Sequence, residues 1–177
     1  MSSIQHQPHI VETPVLSRWE TDCATEEDTV ALATQLAHSP ALAHATITLH
    51  GDLGAGKTTF VRHLLRALGI SGRIKSPTYA VVEPHDAPAR ESWPQGLRIS
   101  HFDFYRFNDP REWEDAGFRE LFADPGLKLV EWPEKAAGLL PLPDLAITLH
   151  TMDDDQRHTT LIAHTPVGVR LLEATRA

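Results

Sequence analysis

The segment GDLGAGKT at residues 51–58 constrains the fold of this chain more than any other. It matches G-x-x-x-x-G-K-[ST] at every fixed position, after the apolar-rich run 45–50 and before a helical pattern at 59–69. Glycines let the backbone N–H groups face an anion, and the dipole of the following helix attracts negative charge. The alternative is a glycine-rich turn that merely connects a strand to a helix, and the complete motif disfavours it. The segment predicts a phosphate-binding loop in an α/β fold.

Two side chains of this motif indicate a nucleotide accompanied by a magnesium ion. Lys57 adds a mobile positive charge for the β- and γ-phosphates. The hydroxyl of Thr58 is placed to bind Mg²⁺, which prefers oxygen ligands. We therefore expect a site that binds a nucleoside triphosphate.

Hydrolysis or transfer of a phosphoryl group also needs a carboxylate near the metal. Glu131 ends the apolar run 127–130, and Asp103 ends the run 97–102. In an open parallel sheet both acids emerge at the carboxyl edge, beside the phosphate-binding loop. We assign Glu131 to the metal, directly or through water, and Asp103 to metal-bound water or to the attacking water. Either carboxylate could instead cap a neighbouring helix or loop, and their division of labour stays open here.

Three neighbouring features each have two interpretations. The Ser-Pro-Thr sequence at 76–78 is either a switch loop over the phosphates or a tight turn with hydroxyl capping. Trp132 belongs either to the core or to an aromatic wall at the edge of the site. His101 shares its side of a strand with Asp103, so it is either a metal-related histidine of the site or a half-buried strand histidine, and the second interpretation is favoured.

Strand and helix patterns alternate along the rest of the chain. Strands are predicted at 15–19, 45–50, 79–83, 97–105, 127–131, 144–150 and 158–164, and helices after Thr25, after Gly56, at 109–117 and from Pro166. The interleaving predicts a three-layer P-loop NTPase fold, with a mixed, mostly parallel sheet flanked by helices and a C-terminal antiparallel hairpin. Residues 1–14 are predicted to be a flexible tail, and residues 15–177 a single domain.

Composition limits the partners and the compartment. The 177 residues include 16 Lys and Arg against 24 Asp and Glu, a net charge of −8, which argues against gripping nucleic acid by bulk charge. The single cysteine excludes an intrachain disulfide and fits a reducing cytosol. The sequence has no pattern of a signal peptide or of a membrane span. We therefore expect a cytoplasmic protein with no membrane association.

Several segments, in this order and spacing, resemble the bacterial TsaE (YjeE) family of small P-loop ATPases. They are GDLGAGKTTF at 51–60, KSPTY at 75–79, VEP at 82–84, HFDFYR at 101–106 and VEWPE at 130–134. The match runs from the Thr25 helix to the end of the chain. Phe104 and Trp113 stand where leucine is common, and both exchanges keep the position apolar.

The resemblance implies a role in making threonylcarbamoyladenosine in ANN-decoding tRNAs. In that family the ATPase acts on the TsaB–TsaD heterodimer, whose TsaD subunit transfers the threonylcarbamoyl group. Hydrolysis of ATP with Mg²⁺ sustains repeated turnover, and tRNA is reached only through the complex.

The resemblance also implies roles for particular residues of this chain. Those for the phosphates are Gly54, Ala55, Gly56, Lys57, Thr58 and Thr59. The resemblance implies Mg²⁺ binding by Thr58 and Glu131, and a catalytic or metal-water role for Asp103. It implies a partner-facing switch loop at Ser76, Pro77 and Thr78. It also implies an aromatic contact from Trp132 and an adenine end at Thr29 and Arg157.

The residues alone leave two other functions open. A small-molecule kinase would need an acceptor pocket and usually an arginine-rich lid, and the longest candidate loop, 85–96, has only Arg90. A nucleotide-dependent regulatory module with little hydrolysis is disfavoured by the pair of acids. A GTPase would need an N/T-K-x-D motif, which the sequence lacks. Because no arginine is evident near the phosphate loop, we expect slow hydrolysis without partners.

Overall fold

Seven strands form one mixed sheet in the computed structural model, which describes residues 12–177. The strands are β1 (Ser17–Cys23), β2 (Thr46–His50), β3 (Val82–Ala87), β4 (Leu97–Asp103), β5 (Leu127–Glu131), β6 (Leu145–Thr151) and β7 (Arg157–Ala163). The helices are α1 (Glu26–Ala37), α2 (Lys57–Ala67), α3 (Pro110–Asp115), α4 (Phe118–Ala123) and α5 (Pro166–Thr175), with 3₁₀ helices at Pro40–His44 and Pro133–Ala136.

The strand order is β1-β7-β6-β2-β5-β4-β3. The central strands β6, β2, β5 and β4 are parallel to one another. The outer strands β3, β7 and β1 each pair antiparallel, and β6 with β7 forms the C-terminal hairpin. The predicted mixed sheet is confirmed, and its parallel centre brings the carboxyl ends of β2, β4 and β5 to one edge.

Helices cover the sheet from both sides, which confirms the three predicted layers. Helices α1, α2 and α5 pack on one face, where alternate residues of the central strands join a large buried cluster that includes Ile47, Leu49, Leu129 and Ile147. Helices α3 and α4 belong to a smaller aromatic cluster on the other face. There the Phe102 and Phe122 rings stack with centroids 4.6 Å apart. The face of the sheet that packs against α2 therefore carries the β4 side chains at the positions that alternate with Phe102.

Side-chain caps begin three of the helices. Thr25 starts α1 with a capping box, in which its hydroxyl accepts from the Asp28 N–H and the Asp28 carboxylate accepts from its own N–H. Asp109 caps α3 and is followed by Pro110 at the first helical position. Both caps are as the sequence predicts. Thr165 caps α5 in the same way, by accepting from the N–H of Gly168.

The third strand is displaced from its predicted position. The β-branched and aromatic run 79–83 predicts a strand, but β3 begins only after Val81. The Val81 N–H donates to the carbonyl of Pro77 at 2.7 Å, and Val81 has φ of 67°, so a turn interrupts the extended chain. Pairing with β4 then keeps the chain extended through Ala87. The predicted loop 85–96 is correspondingly shorter.

Other boundaries also differ. The strand predicted at 97–105 ends at Asp103. Pairing with β7 along its whole length moves β1 to Ser17–Cys23, rather than 15–19. The predicted helix 109–117 corresponds to α3, and Gly117 serves as the N-cap of the next helix, α4.

The predicted N-terminal tail lies mostly outside the described residues, which begin at 12. Within the described part, the carbonyl of Pro14 lies 2.6 Å from Nδ1 of His164. Across residues 12–177, no helix combines the length and the apolar character needed to cross a bilayer.

Candidate functional site

The segment 51–56 passes from the end of β2 to the start of α2 at the carboxyl edge of the sheet. Gly51 has φ of 143°, and a Cβ added there would lie 2.5 Å from the carbonyl oxygen of Leu149. Any larger residue would therefore strike the backbone of β6. Gly56, with φ of 103°, is the N-cap of α2. The two glycines let the chain turn tightly against the core and enter the helix.

The start of α2 differs from the starts of α1, α3 and α5. Its N-cap is Gly56, and no side chain of residues 12–177 caps the first N–H groups of this helix. The first N–H groups of a helix have no partner within the helix itself. Such N–H groups, together with the helix dipole, attract an anion. A helix start of this kind could bind a phosphate group.

Lys57 is buried beside this helix start. Its ammonium group donates to the carbonyl of Gly51 and to that of Asp52, the latter at 3.0 Å. The same group lies 4.0 Å from the centroid of the Trp132 ring, a cation–π contact. Burial lowers the pKa of Lys57, while nearby carboxylates, Glu131 first among them, act in the opposite direction. An anion at this position would therefore stabilise the charged form of the lysine.

Glu131, at the end of β5, lies between two polar side chains. Its Oε1 accepts from the Thr58 hydroxyl at 2.6 Å, and its Oε2 lies 2.5 Å from Nε2 of His101. The side chains of Glu131 and His101 are 2% and 1% exposed. Together the hydroxyl of Thr58 and the carboxylate of Glu131 could hold a magnesium ion.

Asp103 is directly opposite Glu131 in the parallel register of β4 and β5. Its Oδ1 accepts from the backbone N–H of Tyr105 at 2.9 Å, and its Oδ2 accepts from the Thr78 hydroxyl at 3.1 Å. Burial raises the pKa of Asp103, and the charge of Glu131 adds to this, while the two hydrogen bonds oppose it. A buried carboxylate of this kind suits the exchange of a proton with water.

The segment 76–78 reaches the site through its last residue. The Ser76 hydroxyl lies 2.8 Å from the Thr78 hydroxyl, which in turn donates to Asp103. Next to it, Tyr79 is 82% exposed, and the Arg106 guanidinium lies 4.2 Å from its ring centroid. The segment thus combines a turn with a direct contact to one of the two acids.

A cleft of about 300 Å³ adjoins the other side of the loop 51–56. Its lining includes Thr29 of α1, Thr59 of α2 and Arg157 of β7. The Nε of Arg157 donates to the carbonyl of Ala55 at 2.8 Å, and its Nη1 donates to the carbonyl of Asp155. The structure therefore places an arginine against the phosphate loop, where the sequence analysis finds none, and both bonds go to backbone carbonyls.

The predicted site residues fall into two groups around α2. Lys57, Thr58, Asp103, Glu131, Trp132 and Thr78 lie together at the edge formed by β2, β5 and β4. Thr29, Thr59 and Arg157 line the cleft on the other side. Trp132 lies beside Lys57 and also packs on the aromatic cluster, with the Tyr105 ring centroid 4.9 Å away, so both of its interpretations apply.

The contact of His101 with Glu131 is not evident from the sequence. His101 is fully buried, not half-buried, and its ring reaches the carboxylate of the neighbouring strand. The only sequence clue is its spacing of two residues from Asp103, which puts both on one face of β4.

Fold and site together define the class: an α/β protein with a P-loop sequence between its central strand and a helix, and acids on the two next parallel strands. The model of the family "Threonylcarbamoyl adenosine biosynthesis protein TsaE" matches residues 23–159. The chain belongs to this TsaE family, which acts in the biosynthesis of tRNA threonylcarbamoyladenosine.

Curated relatives and a solved structure agree with this assignment. The chain is 41% identical over 128 residues to the tRNA threonylcarbamoyladenosine biosynthesis protein TsaE of Haemophilus influenzae, covering 72% of this chain and 76% of the relative. It is 36% identical over 146 residues to the Bacillus subtilis protein of the same name, covering 82% and 85%. The crystal structure of Bacillus subtilis YdiB superposes with a TM-score of 0.70 at 29% identity, covering 90% of this chain and 95% of YdiB.

Proposed function

We propose that this protein is a Mg²⁺-dependent ATPase that sustains repeated turnover by a TsaB–TsaD complex in tRNA threonylcarbamoyladenosine synthesis. In this proposal it does not transfer the threonylcarbamoyl group, and it meets tRNA only through that complex. The observation that carries the proposal is the 2.6 Å contact of Thr58 with Glu131 beside the uncapped start of α2. Family membership supplies the pathway, and this geometry supports the chemistry.

The residues present fit a magnesium ion. Thr58 and Glu131 offer a hydroxyl and a carboxylate at one point, and Mg²⁺ prefers such hard oxygen ligands. Bound there, the ion would neutralise charge that develops on the phosphates. We assign Thr58 and Glu131 as its protein ligands.

The other side chains would bind and orient the nucleotide. The N–H groups of residues 54–59 and the ammonium of Lys57 would hold the phosphates. Asp103 would orient the attacking water and hold its proton, because burial favours the protonated carboxyl. Trp132 would keep Lys57 in place, and the cleft lined by Thr29 and Arg157 would take the adenine end.

We expect slow hydrolysis by the isolated chain. The guanidinium of Arg157 is bonded to the carbonyls of Ala55 and Asp155, so it is held as part of the cleft wall. Transition-state stabilisation by a mobile arginine would then have to come from a partner. The segment Ser76–Thr78, bonded to Asp103, is the part of the surface through which a partner would act on the site.

A small-molecule kinase is less well supported by the positions of its required parts. The predicted lid follows β3, whose last residue, Ala87, pairs with Leu97 at the start of β4. That end of β4 is opposite the carboxyl edge, where Asp103 lies. Arg90 there donates to the carbonyl of Ala67 at 2.6 Å. A lid in this place could not close over the phosphates without crossing the sheet.

The proposal is tested by reconstituting tRNA modification from TsaB, TsaD, threonylcarbamoyl-AMP and an ANN-decoding tRNA, with this protein added or withheld. We expect similar first turnovers and sustained later turnovers only when the protein and MgATP are present. The rate of ATP hydrolysis, measured in parallel, should rise when TsaB–TsaD is added.

The matched variants are Glu131→Ala, which removes a proposed metal ligand, and Arg62→Ala, which removes an exposed charge from α2. The first should lose Mg²⁺-dependent turnover while it still binds nucleotide, and the second should behave as wild type. Equal turnover with and without the protein would contradict the role in the complex. Unchanged hydrolysis in Glu131→Ala would remove Glu131 from the site.

A further inference from the structure

His101 is a buried side chain that the proposed chemistry leaves without a role. It lies on β4 two residues before Asp103 and diagonally across from Glu131, because its partner in the parallel register is Leu129. From there its ring reaches across to Oε2 of Glu131 at 2.5 Å. The contact is between neighbouring strands, so both backbones are fixed by the sheet.

The hydrogen bonding of the ring is one-sided. Because a carboxylate only accepts, we assign the proton of this contact to Nε2 of His101. The other nitrogen, Nδ1, is buried without a hydrogen-bond partner among the described residues. Buried polar atoms without partners are uncommon in folded proteins. A histidine that served the core alone gains nothing from this arrangement, whereas one that serves the carboxylate needs only Nε2.

The two carboxylate oxygens of Glu131 have different hydrogen-bond partners. Oε2 is held by His101, which leaves Oε1 directed at the Thr58 hydroxyl, 2.6 Å away. Loss of the His101 bond would leave a carboxylate only 2% exposed with one oxygen unpaired. Such an oxygen would turn to another donor and move Oε1 away from Thr58.

We propose that His101 is a positioning residue that holds Glu131 for one-oxygen binding of Mg²⁺ through Oε1. This inference rests on the proposed metal site and adds a residue that does not itself touch the metal or the nucleotide. Hydrogen-bond partners of metal ligands typically change metal affinity or activity by about 10–100-fold when they are removed.

The test is the factor by which Mg²⁺ raises the affinity of the full-length protein for ADP, measured by calorimetry with Mg²⁺ and with EDTA. Two amide variants form the matched pair. His101→Gln can place its amide N–H where Nε2 lies, whereas His101→Asn is one methylene shorter and cannot reach Oε2. His85→Asn is the control, since His85, on the adjacent strand β3, also has a buried nitrogen with no hydrogen-bond partner within residues 12–177.

We expect His101→Asn to reduce the Mg²⁺ factor about tenfold or more, with ADP affinity in EDTA unchanged. His101→Gln should recover most of the factor, and His85→Asn should keep it. If His101→Asn kept the wild-type Mg²⁺ factor, the inference would be overturned. An equal loss of ADP affinity in EDTA would also overturn it, because His101 would then be a purely structural residue. If Mg²⁺ has no effect on ADP binding by the wild type, the metal site fails and the inference fails with it.

Discussion

Two loops meet at the carboxyl edge of the sheet and are held there differently. The phosphate loop, 51–56, is anchored in the interior near both ends, since Gly51 lies against the carbonyl of Leu149 and Ala55 is buried, while residues 52–54 between them are exposed. The loop 70–81 is mostly exposed and reaches the site through the Thr78 bond to Asp103. It ends in a left-handed valine at 81, whose carbonyl accepts from the Asp103 N–H at 2.8 Å.

The two loops differ in how firmly their positions are fixed before a ligand or a partner binds. N–H groups aimed at an anion are useful only if they do not have to reorganise, and contact with the core provides that. In the loop 70–81, Ile74 joins the core cluster, but the residues beyond it are mostly exposed and can change position while the core stays closed. Such a segment is the kind on which a partner acts. Substitutions in or beside the two loops should therefore have different effects, and four predictions test this.

The largest expected effect is that of Lys57→Ala. Its ammonium is buried beside the proposed phosphate-binding start of α2, so its loss should reduce the proposed TsaB–TsaD-stimulated hydrolysis of ATP by about 10²–10³-fold. Steady-state phosphate release measures this, with Arg62→Ala as the control. A loss of less than about tenfold would mean that the phosphates lie elsewhere.

The second prediction applies one substitution to both loops. Gly51→Ala places a Cβ 2.5 Å from a backbone oxygen, whereas Gly72→Ala, at φ of 79°, has no atom within 4 Å among the described residues. Gly51→Ala should destabilise by about 2–3 kcal/mol, and Gly72→Ala by about 1 kcal/mol from backbone strain alone. Urea unfolding measures both. Equal losses would show that the phosphate loop is no more tightly held than its neighbour.

The third prediction concerns the link between the switch segment and the acid. Thr78→Val keeps the shape and removes the hydroxyl that donates to Asp103. Since this bond lowers the pKa of Asp103, its loss should raise that pKa further and reduce partner-stimulated turnover by up to about tenfold. Nucleotide affinity, measured by calorimetry, should stay as in the wild type. If nucleotide affinity fell together with turnover, the segment would contribute to nucleotide binding rather than to the pKa of Asp103.

The smallest effect is expected for the stability of Tyr79→Ala. The side chain is 82% exposed, and its contact is with the exposed Arg106. The free energy of unfolding should change by less than about 0.5 kcal/mol. Thermal unfolding of the isolated protein checks this. A larger loss of stability would mean that Tyr79 packs against the core, and the contrast between the two loops would then be removed.

Local patterns predicted most of the elements. The caps at Thr25 and Asp109, the strand ending in Glu131 and the hairpin of β6 and β7 are confirmed, because short-range chemistry decides them. The strand predicted at 79–83 is wrong, since a turn closed by Val81 and pairing with β4 override the preference of its residues. The roles of the site residues stay predictions, although the structure brings most of them together.

The sequence by itself determined the P-loop motif and its place between a strand and a helix, because consecutive residues from 51 to 58 make up that motif. Only the tertiary structure decided that Glu131 lies between Thr58 and His101. The strand order β2-β5-β4 and the register that sets Asp103 opposite Glu131 produce this contact. Neither property is encoded in the periodicity of a single strand, since both arise when segments distant in the chain pack on one another.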